Sequence, residues 1–288
     1  MEFVKGYMDD ADYRRLLCDT TGEIFGFSFE DWYSSGFYAG EYIPYSFVNN
    51  GKLVANASAN IMKMVQNGSE KLYIQIGTVM TRPEYRKQGL ARELIQKILT
   101  DYEGKVDGFF LYGNLDAVGF YERLGFMQLN QWRYYLEDAS AIETSEAQFK
   151  KAGERDLANY IAALNTAVVN PRMDQKNRTS LQLFYTGDLE NVFYDPQLDT
   201  FAVMYMDEDT LYLDSIISAT EVSVMDVLKR AGMPYKKVIL GFTPAAEDAG
   251  FFTAIEYNGE DDYRFFYKGD ALKEIAEEKL YFPVMSHA

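Results

Sequence analysis

Cysteine and histidine are nearly missing from this chain of 288 residues, which holds one of each, Cys18 and His287. A lone cysteine excludes an intrachain disulfide and a multi-cysteine metal site, and Cys18 reads as a small residue packed on a helix. A lone histidine excludes a zinc site built from several imidazoles. A Ser-His-Asp triad would have to use His287, which reads as a terminal residue without chemistry. Long apolar runs are also missing. No stretch approaches a membrane span, and the opening MEFVKGYMDD lacks a basic region followed by an apolar core, so the expected location is the cytoplasm. Positive charge is scarce: 28 Lys and Arg face 44 Asp and Glu, for a net charge of −16. That balance argues against nucleic acid and anionic membranes as partners. It would attract a cationic substrate, and it equally serves solubility.

What is present is a folded composition, 48% hydrophobic and 25% charged. The charge is uneven, with a net of −6 over residues 1–145 and −10 over the rest. The most informative stretch lies in the less acidic half. Residues 79–91 read VMTRPEYRKQGLA. A β-like segment passes a Pro turn and a loop of the form Arg-x-x-Gly-x-Ala, then enters the amphipathic run ARELIQKIL. Such a helix start leaves backbone N–H groups unpaired at the positive end of the helix dipole, a site suited to phosphate. Gly89 lets a ligand approach the backbone, Ala91 is small for the same reason, and Arg86 and Lys87 add charge. Read without context, the same residues make an ordinary strand–turn–helix connection. A second element follows at 109–126, FFLYGNLDAVGFYERLGF: an apolar run, Asn114, and a helix carrying Ala117 and Tyr121 that ends at Gly125-Phe126.

In this order and at this spacing the pair resembles the acetyl-CoA-binding core of the GNAT superfamily of N-acetyltransferases, over roughly residues 70–136. The resemblance implies an α/β fold with a mixed α+β sheet, the acyl-CoA N-acyltransferase fold. It implies that Arg86, Lys87, Gln88, Gly89, Leu90, Ala91 and Arg92 hold the pyrophosphate of acetyl-CoA. Backbone donors around Val79, Met80 and Thr81 would polarise the thioester carbonyl. Asn114 and Ala117 would lie near the pantetheine, and Tyr121 near the sulfur as proton donor. No metal is implied. Read alone, Tyr121 is one of 23 tyrosines and a half-buried aromatic. One departure stands out: many relatives carry a Glu on the motif strand, whereas YIQIGTVMT has Gln75, Thr78 and Thr81 and no carboxylate. A water chain, or Glu30, Asp31 or Glu41, would have to take the proton.

The polar segment 137–154 suggests a domain boundary near residue 145, giving a catalytic domain over 1–145 and a second domain over 146–288. In the first, the sequence predicts a helix at 10–25 and a strand near 42–48. Strands at 51–64 and 71–81 are joined by the hairpin signal Asn67-Gly68. A helix at 89–102, a strand at 108–113, a helix at 115–124 and a strand at 126–136 follow. The second half repeats the outline: strands 201–206 and 211–217, a helix at 221–232, strand 238–242, a short helix at 244–251, and a strand at 263–268. No Arg-x-x-Gly-x-Ala follows residue 217, so it reads as a degenerate GNAT-like domain that has lost cofactor binding, or else as an unrelated α+β domain. The tail LYFPVMSHA reads as an arm or short strand. Residues 146–288 could complete an acceptor pocket, form a homodimer contact, or brace the first half.

The aromatic, acidic segment 27–47 suits the wall of a pocket for a cationic amine, and equally the packing of two helices. The expected activity is acetyl transfer from acetyl-CoA to a primary amine of a small molecule or to an exposed amino group, by direct attack in a ternary complex. The alternatives are a non-catalytic acyl-CoA-binding or regulatory module and an interaction protein that merely keeps the fold.

Overall fold

The computed structural model describes every residue except 144, 147 and 260. Thr144 and Ala147, both in the polar segment around the predicted boundary, therefore lie outside the described residues. Along the chain run β1 (Glu2–Lys5), α1 (Ala11–Phe25), α2 (Glu30–Ser34), β2 (Tyr42–Asn49), β3 (Lys52–Gln66), β4 (Ser69–Thr81), α3 (Leu90–Tyr102), β5 (Gly108–Asn114), α4 (Val118–Glu122), β6 (Met127–Gln128) and β7 (Gln131–Leu136). Next come β8 (Lys150–Lys151), α5 (Leu157–Thr166), β9 (Met173–Gln175), α6 (Thr179–Thr186), β10 (Val192–Asp195), β11 (Thr200–Asp207), β12 (Thr210–Ser218) and α7 (Val224–Arg230). The last elements are β13 (Lys237–Leu240), α8 (Ala246–Ala249), β14 (Thr253–Tyr257), β15 (Tyr263–Lys268) and α9 (Glu274–Glu277).

Local chemistry explains the boundaries. Asp10 caps α1 by accepting from the amides of Asp12 and Tyr13, and Gly26 at φ 79° ends it in the left-handed region. Asn67 and Gly68 both have positive φ, 47° and 77°, as a two-residue hairpin between right-twisted strands requires. In α3, Leu90, Leu94, Ile95 and Ile98 are buried on one face and pack on β2, β3 and β4.

Two sheets result, and they exchange strands. The first runs β1-β2-β3-β4-β5-β15-β6, with β9 added beside β3. The second runs β14-β7-β13-β12-β11-β10-β8. A cut at residue 145 would leave β7 from the first half in the second sheet, between β13 and β14. It would also leave β15 from the second half in the first sheet, between β5 and β6. The single strand expected at 126–136 is thus two strands in two sheets. Local pattern cannot reveal this: in β7 only Gln131 and Tyr134 are buried, with no period of two, and the choice of partner strand is made by the whole fold.

The exchange is reciprocal, and it exposes the duplication. The hairpin β3–β4, helix α3 and parallel strand β5 have their counterparts in β11–β12, α7 and β13. Each copy ends with a strand lent to the other. One hydrophobic cluster unites Met62, Tyr73 and Phe110 with Phe265, Leu272 and Phe282, so the halves share core as well as strands. In the second copy the helix start is already satisfied internally. The Asp248 carboxylate accepts from the Val224 amide at 2.7 Å and from the Ser223 hydroxyl at 2.6 Å. A phosphate there would meet an anion in place. Among the described residues no helix is long and apolar enough to cross a membrane.

The second sheet also carries Arg133 and a buried carboxyl, Asp214. Arg133 on β7 lies 5.1–6.0 Å from the ring centroids of Tyr212, Tyr257 and Tyr281. Burial pushes the nearby Asp214 carboxyl up to about 6, against the opposing pull of Arg133. A carboxyl raised on folding favours the fold below its unfolded pKa, and that advantage disappears as pH rises through the folded value. The displacement corresponds to on the order of 3 kcal/mol. Asp214→Asn is therefore expected to stabilise the protein above pH 6 and to give little or no gain at pH 4. Urea unfolding at the two pH values reads the difference.

Candidate active site

The site begins where two neighbouring strands part. β4 and β5 run parallel and pair only at Tyr73–Gly108, Ile74–Phe109 and Gln75–Phe110. Beyond that point residues 76–81 and 111–114 have no partner across the gap. A wedge opens between the strands, where β4 no longer pairs with β5.

A bulge marks the wedge. Asn56 and Ser58 on β3 face Met80 and Gly77 on β4, so β4 carries one extra residue. Thr78 takes φ 48°, an unfavourable conformation for a β-branched residue. Side chains hold it there. Asn56, fully buried, donates to the Thr78 carbonyl at 2.9 Å and to Ser58 Oγ at 3.1 Å, while accepting from Ser46. Tyr42 donates to Thr78 Oγ1 at 3.2 Å. The signal for this network was present in the sequence: Asn is disfavoured in strands, yet two stand in the run KLVANASANIMKMVQ.

Past the bulge come the residues assigned to the cofactor. Val79, Met80 and Thr81 complete β4; Met80 is buried, and the Thr81 carbonyl accepts from Arg86 Nε at 3.2 Å. Arg86, Lys87, Gln88 and Gly89 form an exposed loop, with Lys87 at φ 63° and Gly89 at φ 82°. Gly89 caps α3 without a side-chain bond, and the space beside it is open, with nothing within 4 Å of where a Cβ would stand. None of the amides from Lys87 to Arg92 donates to a backbone carbonyl among the described residues. Unpaired amides, a left-handed turn and open space at a helix start fit a pyrophosphate. Leu90 anchors the loop in the core, Ala91 is half-buried, and Arg92 is exposed on the first turn.

Across the wedge, Asn114 ends β5 and is exposed, and Ala117 packs against the core. Tyr121 on α4 is buried with its ring against Gly113; a Cβ at that glycine would lie 2.6 Å from the Tyr121 ring. The Phe266 ring of β15 lies 5.3 Å away, so the exchanged strand helps seat the tyrosine. Burial pushes the Tyr121 phenol up to about 12, and its hydroxyl has no hydrogen-bond partner among the described residues. A protonated phenol with a free donor results.

On the opposite face of β4 lies a cavity of about 250 Å³. It touches the wedge at Thr78 and Asn60, and neither Tyr121 nor residues 86–92 line it. Phe29, Trp32 and Tyr42 from the aromatic segment form one wall, packed on one another as well as facing the cavity. The second half also lines it, through α6 residues Ser180, Phe184 and Tyr185, with Phe184 packed on Phe29 and Trp32. Of the three carboxylates left open as bases, Glu30 pairs with Arg14 at 3.1 Å and Asp31 is exposed on α2. Glu41 lines the cavity, and its Oε2 is buried without a hydrogen-bond partner.

The last residues enter the same place. Gln75 exchanges two hydrogen bonds of 3.0 Å with the Ala288 backbone. Only a glycine at position 77 admits this, since a Cβ there would lie 2.4 Å from the Ala288 oxygen. The His287 ring lies 3.9 Å from that of Tyr112 and lines the cavity. His287 is therefore packed into the fold, which the sequence did not indicate. Burial holds its imidazole down at about 4, hence neutral at physiological pH. Sequence position alone hides this, because the contact spans more than 170 residues.

Comparison with known proteins agrees with this geometry. Residues 9–126 match the model of the acetyltransferase (GNAT) family. No curated protein matches at the level of sequence. Among solved structures, the chain is similar to a probable N-acyltransferase from Enterococcus faecalis V583, with TM-score 0.59, 11% identity, and 93% of this chain covering 72% of that one. A GCN5-related N-acetyltransferase from Kribbella flavida gives TM-score 0.57 at 17% identity, over 92% of this chain and 70% of that one. Eis1 from Mycobacterium abscessus gives 0.54 at 15%, over 92% and 73%. At these identities the structural likeness speaks to fold. Residues 9–126 thus match the acetyltransferase (GNAT) family model, and the chain as a whole shares the fold of these structures.

Proposed function

We propose that the protein transfers an acetyl group from acetyl-CoA to a small primary amine by direct attack. The observation that carries this reading is the Thr78 bulge. It stands between an anion-binding loop on the same strand and an aromatic cavity on the other side, where a thioester and an amine would meet. Acetyl-CoA supplies the acetyl group as a thioester. The amides of residues 87–92 bind its pyrophosphate, with Arg86, Lys87 and Arg92 adding charge. Unpaired backbone donors near Val79 stabilise negative charge on the carbonyl oxygen. Tyr121 donates its O–H to the departing sulfur.

An alkyl amine has a pKa of about 10.4 and must lose a proton before attack. Glu41 immediately precedes β2, two strands from β4, which is about 10 Å at normal strand spacing. That separation puts it out of direct reach, so the proton leaves the amine through water. A second reading, a non-catalytic acyl-CoA-binding module, draws on the lack of a carboxylate over residues 73–81 of β4, where Gln75 is fully engaged with Ala288. Calorimetric titration with acetyl-CoA tests what both readings share; absence of binding would sink both. Amine-dependent release of CoA separates them.

A further inference from the structure

Three residues that line the cavity carry polar atoms that nothing among the described residues satisfies. Glu41 Oε2, Gln175 Oε1 and Ser180 Oγ are each buried without a hydrogen-bond partner, and all three residues line it. A buried polar atom left unpaired costs about 1–3 kcal/mol, and three residues lining one space carry such atoms, which calls for a ligand. Two of them, the carboxylate and amide oxygens, can only accept, and a hydroxyl can also accept. The ligand group they fit is a donor with three hydrogens and a positive charge, an ammonium.

The position of this cluster distinguishes it from the reacting end. Gly77, at the bulge, faces Ser58 on β3, whereas the Glu41 carbonyl accepts from the Ile61 amide three residues further along. Gln175 faces Met64, further still. The cluster therefore begins about 10 Å along β3 from the point of acetyl transfer. The space between is walled by aromatic rings, among them Phe29, Trp32 and Phe184. Its volume of about 250 Å³ holds on the order of eight waters at about 30 Å³ each.

Resting on the acetyltransferase reading, we infer that the acceptor is a small diamine with an apolar middle. One nitrogen is acetylated at the Thr78 bulge. The other, as ammonium, is held by Glu41, Gln175 and Ser180. Glu41 thereby sets specificity as well as lying near the proton path. Aromatic faces favour the approach of a cation, and the net charge of −16 draws a dication from solution.

The test compares cadaverine with n-pentylamine, which differ only in the second nitrogen. Binding of each to the full chain with CoA present is measured by calorimetry, for wild type and Glu41→Gln. The wild type is expected to bind cadaverine at least about tenfold more tightly, the usual worth of a charged hydrogen bond, and Glu41→Gln to remove most of that preference. Equal affinity for the two amines, a preference that survives Glu41→Gln, or no binding of either would each overturn the inference. Ser180→Ala gives a second variant with a milder loss in the same direction. Acetyl-CoA affinity, measured alongside on every variant, reports separately on the acetyltransferase reading.

Discussion

Tyr121→Phe is expected to lower kcat roughly 100-fold, the ordinary range for loss of a positioned proton donor, while the Kd for acetyl-CoA changes by less than about twofold. The separation follows from the packing. The ring of Tyr121 fills the space between Gly113 and Phe266, and phenylalanine fills it equally well. The hydroxyl has no partner among the described residues, so its removal leaves nothing unpaired in the fold. Stability should stay within about 0.5 kcal/mol. The pH profile offers a second reading. With its phenol pushed up to about 12, Tyr121 stays protonated throughout the range in which an amine loses its proton. The rate should therefore rise with pH as the amine deprotonates, with no falling limb from Tyr121 below about pH 11. Steady-state kinetics beside calorimetry checks both, and a kcat within threefold of wild type would remove Tyr121 from the chemistry.

Gly89→Glu should weaken acetyl-CoA by on the order of 100-fold or more. Gly89 sits at φ 82° with nothing within 4 Å of a Cβ, so the substitution meets no steric obstacle in the fold. What it meets is left-handed strain of about 1–2 kcal/mol. Its carboxylate then stands where the amides of residues 87–92 point. Gly89→Ala isolates the strain, since it adds a methyl and no charge. The expected order of affinity by titration is wild type, then Ala, then Glu. Similar losses for Ala and Glu would mean that backbone geometry alone controls the loop.

The parts of this site legible in the sequence were those governed by neighbours in the chain. The Asn67-Gly68 hairpin, the helix opening at Leu90 and the order of strand, Asn114 and Tyr121 all depend on local backbone chemistry, and each lies at or within a few residues of its expected place. The exchanged strands were not legible. In β7 only Gln131 and Tyr134 are buried, and in β15 Phe265, Phe266 and Tyr267, so neither has a period of two, and their choice of partner is a property of the whole fold. The cavity was half-legible. Its aromatic wall at 27–47 stood out by composition, but Gln175, Ser180 and Phe184 come from the other half of the chain. Glu41 was one of three open candidates, and only its unpaired, inward-facing oxygen sets it apart. Asn56 and Asn60 gave a signal, two amides in a strand, whose meaning depends on the strained Thr78 beside them.

The most direct test of the account is release of free CoA from acetyl-CoA by the purified full chain, with and without a primary amine. The account predicts release that depends on the amine, matches the N-acetylated product in amount, and falls in Tyr121→Phe. Bound acetyl-CoA with no release above the amine-free background, across mono- and diamines, would contradict it and leave a protein that holds the cofactor without transferring its acetyl group.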